Sequence, residues 1–360
     1  MTSSEEDTTR TVLVLGATGY VGSRLVPALL AAGHHVIASS SRAPDPSAYP
    51  WGTSVEWRRC DATEPEQVAR TLEGVDALCY LVHSLDEPRF ADRDRLAART
   101  TAVAVSRSAV SRVVYLSGLV PDPGDRPLSD HLASRHEVES LLASSGRSTL
   151  ALRAGVVIGA GSTSFEIVRQ LATLLLVQPV PFWMRSRVQP VAVSDVVRAL
   201  VEALGDEDVT GSLDLGGPDV LRYPALMATF SRCAGLVRLR LPVPLAPSTA
   251  VGIGMAALSA VPPRTALALA HSLRDDMVCR PGRTWAPAAG GPLLDAETAI
   301  RRALSNDPTL PESARRGDAM WTRRQPLLEA IPSPASVRAA SLLALRRARA
   351  VSGRARRLLP

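Results

Sequence analysis

Residues 11–32 constrain this chain more than any other stretch. The apolar run TVLVL at 11–15 leads into glycines at 16, 19 and 22, and an apolar helical pattern follows over 21–32. A buried strand that ends in glycines at three-residue spacing and opens a helix is the phosphate-holding unit of dinucleotide sites. The glycines allow a tight turn, close backbone approach to a pyrophosphate and close packing of helix on strand. The unpaired N–H groups and dipole at the helix start then favour the phosphate charge.

The end of the second predicted strand speaks to which dinucleotide. A site for NAD usually carries an acid there for the ribose 2′-hydroxyl, but no acidic residue occurs between Gly22 and Pro44. Ser40, Ser41 and Arg42 stand in its place, and arginine suits a 2′-phosphate. NADP(H) is therefore the expected cofactor, with NAD(H) the alternative. Arg42 as a solvated loop residue is the competing reading. Asp61, after the third predicted strand, is placed either at an adenine edge or as a cap for a helix over 64–73.

Short β-branched runs alternate with helical patterns. Strands are predicted near 11–15, 35–39, 55–59, 77–82, 112–116, 149–153 and 212–215. Helices are predicted at 21–32, 64–73, 89–110, 130–144, 165–176 and 194–204. This alternation means an α/β fold, a Rossmann-type doubly wound parallel sheet covered on both faces. Beyond about 216 prolines punctuate the chain and helices near 223–234, 248–260, 264–274 and 293–304 dominate. The expected organisation is a disordered N-terminus over 1–9 and a nucleotide-binding domain over 10–216. A small, mostly helical C-terminal substrate lobe follows over 217–305, then a loosely structured Arg-rich tail over 306–360.

The net charge of +6 comes from that tail. Residues 334–360 hold seven arginines and no acid, so the remainder has 34 basic residues against 35 acidic ones. The body offers no specific nucleic-acid surface; the tail is expected to be solvated or to touch a membrane surface or protein weakly. No basic-then-apolar leader opens the chain, and the expected location is the cytoplasm. The four cysteines, at 60, 79, 233 and 279, form no metal-ligand spacing and read as buried, reduced and structural. His34-His35 reads as a turn, and no metal site is expected.

Several segments resemble the short-chain dehydrogenase/reductase superfamily in its atypical, NmrA-like branch. GATGYVGSRLV is similar to that branch's cofactor loop, CDATEPE to its third-strand segment, and DALCYLVHSL to bacterial NAD(P)H-binding proteins that read YYLVHS. SRVVYLSGL, HLASRHEVE, LRAGVVIGAGSTSFE, QPVAVSDVVRAL and LDLGGPDVLRYPALM follow in that subgroup's order. The resemblance covers residues 10–280. It implies cofactor contacts at Gly16, Thr18, Gly19, Tyr20, Val21 and Gly22, at Arg42 and Asp61, and at Val82, His83 and Ser84. It also implies that Ala154, Gly155, Val156 and Val157 lie near the nicotinamide.

The superfamily's catalytic Tyr-x-x-x-Lys pair is absent, because the chain contains no lysine: all 41 basic residues are arginine. The corresponding segment reads His131-Leu-Ala-Ser-Arg135. The i,i+4 spacing keeps both side chains on one helix face. Arg135 is positioned to hold ribose hydroxyls but releases no proton; His131 has an ordinary pKa suited to proton transfer. Ser117 matches the superfamily serine that polarises a carbonyl. Surface roles for His131 and Arg135 are the competing reading, and Arg153 reads as an ion pair more readily than as a substrate anchor. Charge-poor stretches at 160–190 and 220–275 either line an apolar substrate pocket or form core. Three functions stay open. They are oxidoreduction of an apolar carbonyl, enone or quinone-like compound, a non-catalytic NADPH-holding sensor or accessory protein, and an epimerase.

Overall fold

The apolar runs pair side by side. In the computed structural model, which describes residues 9–85, 87–121, 128–244, 246–258, 262–305 and 334–342, seven strands form one parallel sheet. They are β1 (Thr11–Leu15), β2 (His35–Ser40), β3 (Glu56–Arg59), β4 (Ala77–Tyr80), β5 (Arg112–Gly118), β6 (Ser148–Ala154) and β7 (Gly211–Leu215). Their order is β7-β6-β5-β4-β1-β2-β3, with every pairing parallel. Strands β1 and β4 are almost wholly buried, as strands covered on both faces must be.

Helices α1 (Gly22–Ala31) and α6 (Val193–Gly205) cover one face, where Leu25, Leu29, Val196 and Leu200 join Val12 and Val14 in one core cluster. Helices α2 (Pro65–Thr71), α3 (Phe90–Ser106) and α4 (Asp130–Ala143) cover the other, with Val68, Ala98, Val105 and Val138 against Leu13, Leu78 and Tyr115. Pro27 lies inside α1 and has no N–H to donate to the Ser23 carbonyl four residues back. The buried Trp51 takes its place, its Nε1–H donating to Ser23 O at 3.0 Å.

The chain runs outward from β1 to β3 and returns beside β1 with β4. The strand order therefore reverses between β1 and β4, which opens a crevice at their C-terminal ends. Above that crevice sits the lobe, which draws in residues 157–192 as well as the expected 217–305. Helix α5 (Thr163–Leu174) packs with α7 (Tyr223–Cys233) and α10 (Ala296–Leu304) around Phe165, Phe230 and Ile300, the two rings meeting edge-on at 5.7 Å. Helices α8 (Ser248–Leu258) and α9 (Pro263–Ser272) form a hairpin whose Met255, Ala266 and Ala270 pack on Ile167.

The lobe also holds short strands that the sequence pattern did not announce. Val177–Pro181 runs parallel to Leu239–Val243, Val157–Ile158 parallel to Val191–Ala192, and Arg187–Val188 antiparallel to Leu221–Arg222. Prolines at 179, 181 and 242 hid the first pair, since proline within a run argues against a central strand and is tolerated only at edges. Residues 334–342 form a helix, not loose chain, and Val337 packs against the lobe core. The expectations for 1–8, 306–333 and 343–360, including most of the tail arginines, fall outside the described residues. Among the described residues no helix is long and apolar enough to cross a membrane, and no group of His, Cys, Asp or Glu could hold a metal ion. Cys60 and Cys79 are buried as expected, but Cys233 and Cys279 are half-buried; all four are free thiols.

Candidate cofactor-binding site

The glycine loop is shaped by its own backbone. Gly16 has a φ of +98°, a region open to glycine and strained for other residues. A Cβ on Gly22 would sit 2.3 Å from Gly16 O and 2.9 Å from the Ala17 Cα. The first turn of α1 is thus pressed against the end of β1. Ser23 and Arg24 N–H donate to Gly19 O and Val21 O, each at 3.0 Å; no side chain caps the helix start and no acid lies in the first turn, which leaves the positive end of the helix to an anion. A phosphate fits that seat on both charge and geometry. Buried Arg24 ties the loop to the lobe: it stacks 4.0 Å from the centroid of Tyr20 and donates to Tyr20 O and Ala160 O, each at 2.9 Å.

Beside the loop, Ser39 O accepts from Ala17 N–H at 3.1 Å, while the buried Ser39 hydroxyl has no hydrogen-bond partner among the described residues. Ser40 Oγ accepts from Arg42 N–H at 3.2 Å. Ser41 and Arg42 are exposed at the cavity rim. Asp61 does not cap α2, whose N-cap is Glu64. Its carboxylate instead accepts from Thr63 N–H at 3.0 Å and Thr63 Oγ1 at 2.8 Å, and pairs with Arg93 at 3.2 Å. Burial pushes its pKa upward, but Thr63 and Arg93 outweigh burial and hold it below the usual carboxylate value.

After β4, Val82, His83 and Ser84 pass over the crevice, with Ser84 N–H donating to Asp94 Oδ1 at 2.8 Å. Burial lifts the pKa of Asp94 above the ordinary carboxylate value, against the opposing pull of Arg135 and Ser84. Asp94 thus fixes the loop that crosses the site. Nothing in the run ADRDRLAART distinguishes it from solvated helix charge, and sequence reasoning missed it, as it missed Arg93 and Arg24.

The three residues expected from the sequence to be catalytic converge. Ser117, next to last in β5, is buried with its hydroxyl beside the Tyr115 phenol. Arg135 donates to Tyr115 Oη at 3.4 Å and to Leu116 O at 3.3 Å. His131 lies one turn before Arg135 on α4, and all three line the same cavity. The setting of His131 departs from the sequence expectation. Burial, with Arg135 adding to it, lowers its pKa to about 3, so the imidazole is neutral at neutral pH. Arg153 is held in a bidentate pair with Glu139 at 3.0 and 2.7 Å, both side chains largely buried, which makes it a tie between β6 and α4.

One cavity of about 1050 Å³ gathers these groups. Along one wall lie Gly16, Thr18, Gly19, Tyr20, Val21 and Gly22, with Ser41, Arg42, Asp61 and Val82–Ser84 beyond them. Gly155 and Val156, after β6, complete this end. The lobe lines the rest mostly with apolar side chains, Ile167, Leu171, Met184, Met227, Met255 and Leu269, with Glu166, Gln178, Thr265 and Ser272 among them. A volume at the top of the usual range for ligand sites accommodates a dinucleotide and a second molecule. His131 also borders a separate cavity of about 480 Å³.

Residues 16–181 match a protein family described as NAD(P)H-binding. An uncharacterized protein of Mycobacterium tuberculosis is 25% identical over 222 residues, 61% of this chain and 23% of that protein. Sterol demethylase protein B of Methylococcus capsulatus is 34% identical over 112 residues, 30% of this chain and 34% of that protein. The chain therefore spans under a quarter of the mycobacterial relative and about a third of the other. Among solved structures, a nucleoside-diphosphate-sugar epimerase of Staphylococcus aureus aligns with a TM-score of 0.64 at 15% identity, over 81% of this chain and 99% of that one. UDP-glucose 4-epimerase of Thermus thermophilus, in complex with NAD, aligns with a TM-score of 0.56 at 20% identity, over 81% and 97%. At these identities the solved structures speak for the fold. The sheet order is Rossmann-type, and residues 16–181 within it are similar to the NAD(P)H-binding family.

Proposed function

We propose that the chain is an NADP(H)-dependent oxidoreductase of the NmrA-like type that acts on a largely apolar small molecule. The observation that carries this reading is the single cavity that joins the glycine loop to a mostly apolar chamber. The α1 N-terminus seats the pyrophosphate. Ser41 and Arg42 face the adenosine ribose and its 2′-phosphate, and Asp61 lies toward the adenine. Arg135 holds the second ribose, and Gly155 and Val156 back the nicotinamide. The cofactor, when bound, supplies hydride transfer. Ser117 offers its hydroxyl to a substrate carbonyl. His131, neutral at working pH, orients that carbonyl through a hydrogen bond and does not act as an imidazolium acid. The lobe helices exclude water from the reacting end.

A second reading is a cofactor-holding sensor or accessory protein without turnover. The low pKa of His131 and the absent Tyr/Lys pair favour it. The epimerase names among the fold relatives belong to those proteins; a mostly apolar chamber suits a sugar nucleotide poorly. The deciding experiment follows NADPH absorbance with a panel of apolar ketones, enones and quinones. Substrate-dependent oxidation that falls at least ten-fold in Ser117→Ala supports the enzyme. Tight NADPH binding with no oxidation across the panel supports the sensor.

A further inference from the structure

The strand Val177–Pro181 alternates in an unusual way. Val177 and Pro179 are exposed, while Gln178 between them turns inward and is completely buried at 0% exposure. Neither Oε1 nor Nε2 of its amide has a hydrogen-bond partner among the described residues. Gln178 borders the mostly apolar lobe side of the cavity, along with Leu171, Met184, Met227 and Leu269. A primary amide carries two donors and a two-lone-pair acceptor, and burying it unpaired is costly. A leucine in that place would fill the same space at no such cost. The amide also lies on a strand that contributes nothing to the glycine loop, so the cofactor-facing groups described above do not account for it.

We infer that Gln178 is a polar anchor of the mostly apolar chamber, where Glu166, Thr265 and Ser272 are the other polar lining groups. The ligand it takes is an apolar body carrying a neutral oxygen group, a ketone or a hydroxyl, that pairs with the amide. A carboxylate or phosphate is disfavoured, because the amide offers no charge to offset the burial of one. The inference rests on the reading of this cavity as a joint cofactor and substrate site.

The test uses fluorene and 9-fluorenone, which share one rigid apolar frame and differ at the bridging carbon, CH₂ in one and C=O in the other. Binding is measured by calorimetry at saturating NADP⁺, so that no turnover occurs. In the wild type the amide selects the ketone; in Gln178→Leu and Gln178→Met the ratio of fluorenone to fluorene affinity falls about ten-fold, the worth of one buried hydrogen bond. The affinity for NADP⁺ stays unchanged in both variants, which certifies the fold, and the melting temperature of the ligand-free Leu variant does not fall. An unchanged ratio in both variants overturns the role of Gln178. Failure of the wild type to bind either compound overturns the apolar ligand class. Failure to bind NADP⁺ overturns the underlying reading of the cavity, and the separate NADP⁺ titration distinguishes that case from the other two.

Discussion

Substituting Gly22 by alanine sets two effects of opposite sign against each other. Gly22 is the first residue of α1 and its φ is not positive, so helix propensity alone favours alanine by up to about 1 kcal/mol. The new Cβ would lie 2.3 Å from Gly16 O and 2.9 Å from the Ala17 Cα. Both are backbone atoms that no rotamer change can move. Reaching an ordinary contact of about 3.4 Å needs a shift of about 1 Å between the start of α1 and the end of β1. Overpacking of this kind costs about 1–3 kcal/mol. The net effect is a loss of about 1–2 kcal/mol, which lowers the melting temperature by a few degrees for a chain of this size. The same shift tilts the N–H groups away from the phosphate seat, so NADPH affinity falls at least ten-fold. Gly19→Ala is the graded control, because its Cβ would approach Gly16 O only to 3.2 Å; it shows a smaller loss of both quantities. Differential scanning fluorimetry and an NADPH fluorescence titration measure the two effects. A Gly22→Ala protein that melts higher and binds NADPH as tightly as the wild type would refute the reasoning.

Two further outcomes follow from the geometry. Arg153→Ala leaves Glu139 as a largely buried, unpaired charge, which costs about 3–5 kcal/mol in urea unfolding while NADPH affinity stays within two-fold; a large affinity loss without destabilisation would return Arg153 to the ligand site. His131 has a folded-state pKa of about 3, below the unfolded value near 6.5. On acidification the unfolded chain therefore takes this proton first, and the stability it contributes is complete above pH 6.5 and is lost as pH falls toward 3. Urea midpoints of the wild type then drop more between pH 7 and pH 5 than those of His131→Asn, and a histidine NMR titration with a midpoint near 6.5 for His131 contradicts this.

All seven strands of the central sheet were legible because each is short and set between helical patterns, and all but the polar edge strand β3, Glu56–Arg59, carry more than one apolar residue. Their ends moved by one or two residues in most cases, and β4 stops at Tyr80 because the chain beyond it leaves the sheet to cross the crevice. The residues named from the glycine loop and strand ends all line one cavity, since a doubly wound sheet gathers its strand ends at the order reversal. What stayed hidden depends on burial that sequence does not carry. The low pKa of His131 comes from its surroundings, and Asp94 looks like any exposed helix acid until Ser84 folds onto it. Gln178 sits among prolines that mask a strand, and its importance lies in the partners it lacks. Trp51 gives the Ser23 carbonyl the donor that Pro27 removes, a pairing between positions 28 residues apart in sequence.

The central claim is that this cavity selects the phosphorylated dinucleotide, and Arg42 at its rim tests it most directly. Fluorescence titration of the wild type and Arg42→Glu with NADPH and NADH gives four affinities. The account predicts a wild-type preference for NADPH of at least ten-fold, from the charged contact to the 2′-phosphate. In Arg42→Glu that preference is lost or inverted, chiefly through weaker NADPH binding. A wild type that prefers NADH, or a variant that keeps the NADPH preference, contradicts the account.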